Sequence, residues 1–161
     1  MYKRQRQTPL LFERAGPRFE RVSPETAGAW LAEERCDRSA AFGDLDGDGD
    51  VDAVVSGVNQ PLRVLRNDRD GGSWLAVALR DARPASKNHR GLGARVVLES
   101  RAGRQVRWVH GGGSYQAACE PVAHFGLADD GPVALEVTWS DGTRQLVPDL
   151  RPSRRVVVEH P

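Results

Sequence analysis

The segment DLDGDGDVD, residues 44–52, places an aspartate at every second position. Like charges this close together repel one another unless a positive group lies among them. A hard cation such as Ca²⁺ takes about six to eight oxygen ligands, and a tight loop supplies side-chain oxygens from its positions 1, 3, 5 and 9 and a main-chain carbonyl from position 7. The spacing therefore predicts a calcium-binding loop.

Two glycines inside the loop support this prediction. Gly47 and Gly49 can adopt the positive φ angles that a chain needs when it wraps around one ion. The predicted ligands are the carboxylates of Asp44, Asp46, Asp48 and Asp52 and the main-chain oxygen of Asp50, with Ca²⁺ as the cofactor.

An EF-hand and a metal-free turn are the two alternatives. An EF-hand needs a bidentate glutamate at the twelfth position, which is Val55 here, inside the apolar run AVVSGV. Segments with strand-like composition, and not helices, flank the loop. A solvated acidic turn without metal would leave the repulsion among the carboxylates unrelieved, so calcium is the preferred interpretation.

Histidine and cysteine offer a second kind of chemistry. His110 and His124 end predicted strands and, with Cys119, could approach one another across a sheet. Their spacing follows no zinc-ligand rule, and no nucleophile stands in a recognisable catalytic motif. We assign no catalytic residue and expect structural or surface roles, also for His89 and His160.

The loop HGGGSYQAACEP, residues 110–121, combines three glycines with polar and aromatic neighbours. It lacks the Gly-Lys-Ser/Thr ending of a phosphate-binding loop, so the glycines indicate a bulge or a close approach of backbones. A loop held on a rigid sheet is nevertheless where ligands bind. If the chain binds one, the predicted place is this loop, with Tyr115, His110 and Arg107.

The four tryptophans lie in segments that alternate apolar and polar residues, which predicts core packing. Trp108 has polar neighbours in Arg107 and His110, and a sugar-stacking role is the alternative for it.

Short runs rich in valine, leucine and aromatics, separated by glycine and proline, predict many strands joined by tight turns. The predicted strands are residues 9–14, 18–22, 39–43, 52–57, 62–67, 73–80, 93–100, 104–110, 122–127, 133–139, 143–147 and 154–159. RAG and SDG provide the turns of two of the hairpins. One helix is predicted in SPETAGAWLAEER, where Ser23 could cap and Trp30 and Leu31 face inward.

Composition excludes some classes of function. The 161 residues have a net charge of +1, 39% hydrophobic and 28% charged residues, and no apolar run long enough for a membrane span. We therefore expect neither nucleic-acid binding nor a membrane span. Cys36 and Cys119 are compatible with one disulfide or with two thiols. The N-terminus lacks a secretory signal, so the chain is cytoplasmic if that end is native and extracellular or cell-surface if it belongs to a longer exported protein.

The segment AAFGDLDGDGDVDAVVSG resembles the calcium-binding blade motif of FG-GAP repeats, also called VCBS repeats. PLRVLRND and the earlier PLLFERAGPRFERVS are similar to the hairpins that end such blades. The stretch from SKNHRGLGARVVLES to WSDGTRQLV resembles the ASPIC/UnbV domain, which follows these repeats in the cartilage acidic protein 1 family. FGLA and WSDG depart from the usual FGLG and WPSG, but both changes fall at predicted turns.

This resemblance implies an all-β protein: a partial propeller-like blade with the calcium loop, followed by a small antiparallel β-sandwich or barrel-like domain. The predicted division is a repeat region at residues 1–70 and an ASPIC/UnbV-like domain at residues 71–161. A single full repeat cannot close a propeller alone.

Two functions follow from these observations. The first is a calcium-binding structural or interaction module without enzymatic activity, whose partner is a protein or a carbohydrate. The second is an enzyme or accessory protein of natural-product biosynthesis, enediyne or other polyketide, which the family's gene-cluster members suggest and which implies a small hydrophobic metabolite as ligand. A homo-oligomer is a third expectation, because exposed strand edges invite pairing.

Overall fold

The computed structural model describes residues 5–68 and 71–161. Its strands are β1 (Phe12–Ala15), β2 (Arg18–Arg21), β3 (Asp37–Gly43), β4 (Asp52–Gly57), β5 (Arg63–Leu65), β6 (Trp74–Arg80), β7 (Arg95–Ser100), β8 (Gly103–Trp108), β9 (Gly112–Ser114), β10 (Ala117–Ala118), β11 (Val122–Gly126), β12 (Val133–Thr138), β13 (Arg144–Leu150) and β14 (Arg154–Glu159). The helical segments are α1 (Pro24–Ala27) and a 3₁₀ turn (Ala29–Ala32). The predicted all-β class is confirmed. The predicted boundary at residue 70 lies outside the described residues.

Two sheets from the C-terminal half enclose the main core. One has the strand order β11-β6-β14 and the other the order β13-β12-β7-β8. Alternate residues of each strand face inward, as Leu75, Val77 and Leu79 do on β6, and they meet Val96 and Leu98 of β7 in one buried cluster. Neither sheet closes into a barrel within the described residues, and we call this pair of sheets the sandwich.

The sandwich departs from the expected antiparallel pattern at its last strand. β14 runs parallel to β6, with Val156 opposite Val77 and Val158 opposite Leu79. The β12-β13 hairpin precedes β14 and belongs to the facing sheet, so the chain crosses between sheets before β14 pairs. Hairpin turns alone therefore do not define this topology.

A separate three-stranded antiparallel sheet, β3-β4-β5, precedes the sandwich. The acidic segment is the connection between β3 and β4, in which Gly43 pairs with Asp52. Strands therefore flank the loop on both sides, as the sequence predicts. The hairpin β1-β2 forms a further two-stranded sheet.

The predicted single helix over SPETAGAWLAEER is wrong. Gly28 has a φ of +106°, so the helix stops after Ala27 and a 3₁₀ turn follows. A left-handed residue cannot continue a right-handed helix. Leu31 is buried as expected, whereas the Ser23 side chain makes no capping hydrogen bond.

The glycine-rich loop forms a small hairpin, β9-β10, that the sequence did not predict. The hairpin lies against the edge of β3, where Ser114 Oγ accepts a hydrogen bond from the amide of Ala40 (3.1 Å). Cys119 Sγ accepts one from the amide of Phe42 (3.4 Å). Both cysteines are free thiols, and Cys36 is buried. The two helical segments fall well short of a length and apolarity that could span a membrane.

An ionic network at one end of the sandwich joins the β6-β7 connection, the β12-β13 turn and the residue that follows β14. Asp81 is buried, and Arg83 donates to both of its carboxylate oxygens, at 2.9 and 2.7 Å. Arg83 also donates to Asp141 (2.9 Å), and so does His160 Nε2 (3.0 Å). The Arg83 hydrogen bonds hold the pKa of Asp81 well below its usual range. Hydrogen bonding from Thr143, followed by that from Arg83, lowers the pKa of Asp141 in the same way.

We predict that replacing Asp81→Asn lowers the melting temperature at neutral pH by several degrees and flattens the acid limb of the stability profile. A folded-state pKa below the unfolded value of about 3.9 gives stability that is complete above that pH and is lost as the pH falls further. Thermal unfolding, followed from neutral pH down to pH values below the pKa of the unfolded carboxyl, measures both effects.

The matched control is Asp149→Asn. Asp149 is exposed with a φ of +54°, a conformation that asparagine adopts as readily as aspartate. An acid limb equally steep in wild type and Asp81→Asn would contradict the assigned role of the network.

Candidate metal centre

The acidic loop is organised by its own carboxylates. Asp44 accepts hydrogen bonds from the amides of Gly47 (2.7 Å) and Gly49 (3.1 Å). Asp48 accepts from the amide of Asp50 (2.8 Å). Gly47 and Gly49 have φ angles of +81° and +99°, which glycine adopts without strain. The backbone thus turns tightly enough to bring successive aspartates to one side.

Asp44, Asp46 and Asp48 each place a carboxylate oxygen within 4.8 Å of the others. Asp46 and Asp48 are exposed, and Asp44 is partly buried. Among residues 5–68 and 71–161, this is the one cluster of three or more metal-ligating side chains. A set of carboxylate oxygens suits a hard cation such as Ca²⁺, and it lacks the nitrogen and sulfur ligands that zinc prefers.

The side chains of Asp52 and Asp50 lie outside the cluster of Asp44, Asp46 and Asp48. Asp52 is 1% exposed, and its two carboxylate oxygens accept the amides of Leu45 and Asn67, each at 2.8 Å. It thereby ties the start of the loop to the chain that follows β5. The Asp50 carboxylate lies against Gly71, where an added Cβ would meet its oxygens at 3.0 and 3.2 Å. The structure therefore brings three of the five predicted ligands together through their side chains.

Arg66 brings a positive charge to the rim of the loop. Its guanidinium lies 2.5 Å from Asp68 and 3.7 Å from Asp46. Hydrogen bonding to Asp68 and the charges of Asp68, Asp46 and Asp48 raise the pKa of Arg66. The side chain is 62% exposed, so water and salt screen this interaction and it neutralises the carboxylates only in part.

The loop packs directly on the sandwich. Gly49 is buried, and a Cβ at this position would lie 1.9 to 2.4 Å from atoms of the Trp74 indole. Only a glycine therefore lets the loop approach the ring. The Gly49 carbonyl accepts a hydrogen bond from His124 Nε2 (2.7 Å), and the His124 ring stacks on Trp74 with a centroid distance of 6.0 Å. We call this contact the loop dock: Gly49, Trp74 and His124.

The loop dock gives His124 a structural role that its sequence context does not reveal. The other candidate side chains lie elsewhere: His110 Nδ1 donates to the carbonyl of Gly112 (2.5 Å), and Cys119 contacts β3. These three side chains do not form a metal-ligating group in the described part of the chain.

Arg107 is adjacent to Trp108 in sequence, but the two side chains lie on opposite faces of the sheet. Arg107 lies over the Phe125 ring (5.3 Å) and donates to the carbonyl of His124 (3.1 Å), so it points towards β11. Consecutive residues of a strand face opposite sides, and Trp108 therefore lies on the outer face of its sheet. Trp108 is 60% and Tyr115 is 68% exposed, so Trp108 does not belong to the core that the alternation predicts for it.

An apolar groove of about 1120 Å³ lies in the N-terminal half. It is lined by residues of segment 9–13, the short helices and one face of the β3-β4-β5 sheet, among them Leu11, Phe12, Trp30, Phe42, Val55 and Leu65. Tyr115, His110 and Arg107, which the sequence suggested for a ligand pocket, are not part of its lining.

Comparison with known proteins finds a family match in the C-terminal half of the chain. The profile of the family described as ASPIC and UnbV matches residues 84–161. Cartilage acidic protein 1 of Homo sapiens is 36% identical over 135 residues, which cover 81% of this chain and 19% of that protein. The proteins of the same name from Mus musculus and Xenopus tropicalis match with equal identity over 20% of their length.

The chain thus spans about a fifth of the length of the curated relatives it matches. The matched residues 84–161 include every strand of the sandwich except β6. Residues 84–161 thus match the ASPIC and UnbV family, and most of the chain is similar to a segment of cartilage acidic protein 1.

Proposed function

We propose that the acidic loop binds Ca²⁺ and thereby fixes the β3-β4-β5 sheet to the ASPIC/UnbV domain in a non-enzymatic structural or interaction module. This proposal rests on the coincidence of two features in one loop. The loop gathers the carboxylates of Asp44, Asp46 and Asp48, and the same loop forms the loop dock through Gly49.

Charge favours a divalent cation over the groups that the chain itself supplies. Arg66 is exposed and divided between Asp46 and Asp68, whereas the amides of Gly47, Gly49 and Asp50 carry only partial charges. A bound Ca²⁺ would neutralise the repulsion among the three carboxylates and hold the turn closed. Of the five predicted ligands, Asp44, Asp46 and Asp48 provide side-chain oxygens in this arrangement.

The proposed boundary between residues 70 and 71 places the loop and the sandwich in different domains, so the loop would link the two domains. β6, which begins at Trp74, belongs to the sandwich core, and the loop belongs to the preceding sheet. Asp52 binds the amide of Asn67, so the same loop also holds the chain just before the connection. The sequence of this region resembles an FG-GAP or VCBS repeat. In such a repeat, calcium would have this stabilising role.

We predict that Ca²⁺ raises the melting temperature and that a chelator lowers it again. Calcium at about 100 times its dissociation constant adds ~2.7 kcal/mol to the free energy of unfolding, or roughly 5–10 °C for a chain of this size. Thermal unfolding by circular dichroism, combined with calorimetric titration of calcium, measures the effect. Equal melting temperatures with calcium and with chelator would contradict the proposal.

The double variant Asp46→Asn with Asp48→Asn keeps side-chain acceptors for the loop amides and removes two negative charges. It is expected to fold and to lose the calcium response. Asp129→Asn is the matched control, because Asp129 also accepts a nearby amide, that of Gly131 (2.8 Å), but lies far along the chain from the loop. The control is expected to retain the full response.

We also predict that Gly49→Ala destabilises the protein more than Gly47→Ala. Both substitutions place an L residue at a positive φ, and this strain costs roughly 1–2 kcal/mol. Gly47 has open space around it, whereas a methyl group on Gly49 collides with Trp74. The difference between the two variants therefore isolates the loop dock, read as melting temperature and as a red shift of tryptophan fluorescence in Gly49→Ala. Equal effects of both variants would show that the dock adds nothing.

The apolar groove favours a second candidate function, the binding of a small hydrophobic metabolite by an accessory protein of natural-product biosynthesis. Its volume of about 1120 Å³ is large enough for a polyketide-sized ligand, and ligand pockets are mostly apolar with a few polar groups. Arg38 and Arg63 supply polar groups in the lining.

Titration with a linear polyene carboxylic acid, followed by its absorbance, tests this function. Phe42→Asp is expected to weaken binding about tenfold or more, because it puts a charge into an apolar lining. Phe42 is 52% exposed, so the fold should tolerate the change, and Leu146→Asp, at another exposed apolar position on a different sheet, is the control. Absence of binding, or equal affinity of both variants, would exclude the groove as the site.

A further inference from the structure

The outer face of the β13-β12-β7-β8 sheet is defined by the residues that point the other way. Val96, Leu98, Leu135 and Val137 belong to the buried core cluster. On β8, Gln105 and Arg107 donate to carbonyls of Gly126 and His124, which belong to β11 in the facing sheet. The alternate residues of all four strands therefore face outward.

One row of this outer face carries a tryptophan and two arginines. In register across the four strands lie Trp108, Arg95, Thr138 and Arg144, which we call the Trp108 row. Neighbouring strands are about 4.8 Å apart, so the row spans roughly 14 Å and its two arginines are separated by roughly 10 Å at Cα. Trp108 is 60% exposed at one end of the row.

The charges of the row are uncompensated. Among the residues that the structure describes, neither Arg95 nor Arg144 makes an ion pair or a side-chain hydrogen bond. Arg104 on the same face pairs with Glu99 (3.0 Å), so these two charges neutralise each other. Glu136 lies one row away and pairs with neither arginine.

We propose that the Trp108 row is a binding surface for an acidic linear polysaccharide. The C–H face of a sugar ring stacks on an exposed indole, and carboxylates of neighbouring sugars pair with the guanidinium groups. The distance between the two arginines is comparable to the length of a disaccharide unit in an extended polysaccharide chain. This surface belongs to the sheet that does not form the loop dock, so the inference does not depend on calcium binding.

The observations favour a polysaccharide over two other partners. An extended acidic peptide gains affinity by pairing with a strand edge, whereas the Trp108 row offers the face of a sheet. In a symmetric dimer formed through this face, the arginines of one copy would lie opposite those of the other copy and repel them.

The test uses the full chain with alginate oligosaccharides in calorimetric titrations, next to cello-oligosaccharides of equal length and poly-glutamate. We expect alginate to bind with an affinity that falls as salt rises, and the neutral sugar to bind much more weakly. Trp108→Ala, and the double variant Arg95→Gln with Arg144→Gln, are each expected to weaken alginate binding about tenfold or more.

Arg151→Gln is the matched control, since Arg151 is an exposed arginine in the connection between β13 and β14. It should bind alginate as the wild type does, and unchanged melting temperatures show that all variants are folded. Three results would overturn the proposal. The first is no alginate binding, and the second is poly-glutamate binding that is as tight as alginate binding and unchanged in Trp108→Ala. The third is a dimer in sedimentation that Trp108→Ala dissociates.

Discussion

The approach of Gly49 to the Trp74 indole is the constraint on which the arrangement of this protein depends. It places an acidic turn of the three-stranded sheet on the outer face of the sandwich, with no room for a side chain between them. His124 completes the contact, since its ring stacks on Trp74 while its Nε2 donates to the Gly49 carbonyl. Hydrogen bonds from the β3 amides to Ser114 and Cys119 form a second, weaker attachment. The sheet and the sandwich are therefore joined through the segment with the densest negative charge.

This joint makes electrostatics part of the packing. Carboxylates that repel one another would open the turn and move Gly49 off the indole ring. The chain counters the repulsion with loop amides and with one exposed arginine, Arg66, and both are weaker than a divalent ion. A cation in the loop would thus act on the contact between two sheets as well as on its ligands. Cation binding and the relative position of the sheets are then one equilibrium.

The sequence predicted the local features of the site and missed those that depend on distant contacts. Aspartates at alternate positions with interspersed glycines indicate a metal loop because the ligand pattern is local in the chain. The alternation of apolar residues predicted most strands for the same reason. Nothing near Gly49 in the sequence indicates that Trp74 and His124 receive it. The parallel pairing of β14 and the inward direction of Arg107 are likewise set by tertiary packing. Exposed Trp108 shows the limit of alternation, which identifies two faces but not which of them is buried.

Amide hydrogen exchange with and without calcium is the decisive measurement, because it reports on the loop and on its dock separately. If calcium fixes the joint, exchange slows within residues 44–52 and also at Asn67 and in β11, which carries His124. Slower exchange in the loop alone would contradict the coupling between cation and sandwich. Unchanged exchange throughout would contradict calcium binding itself.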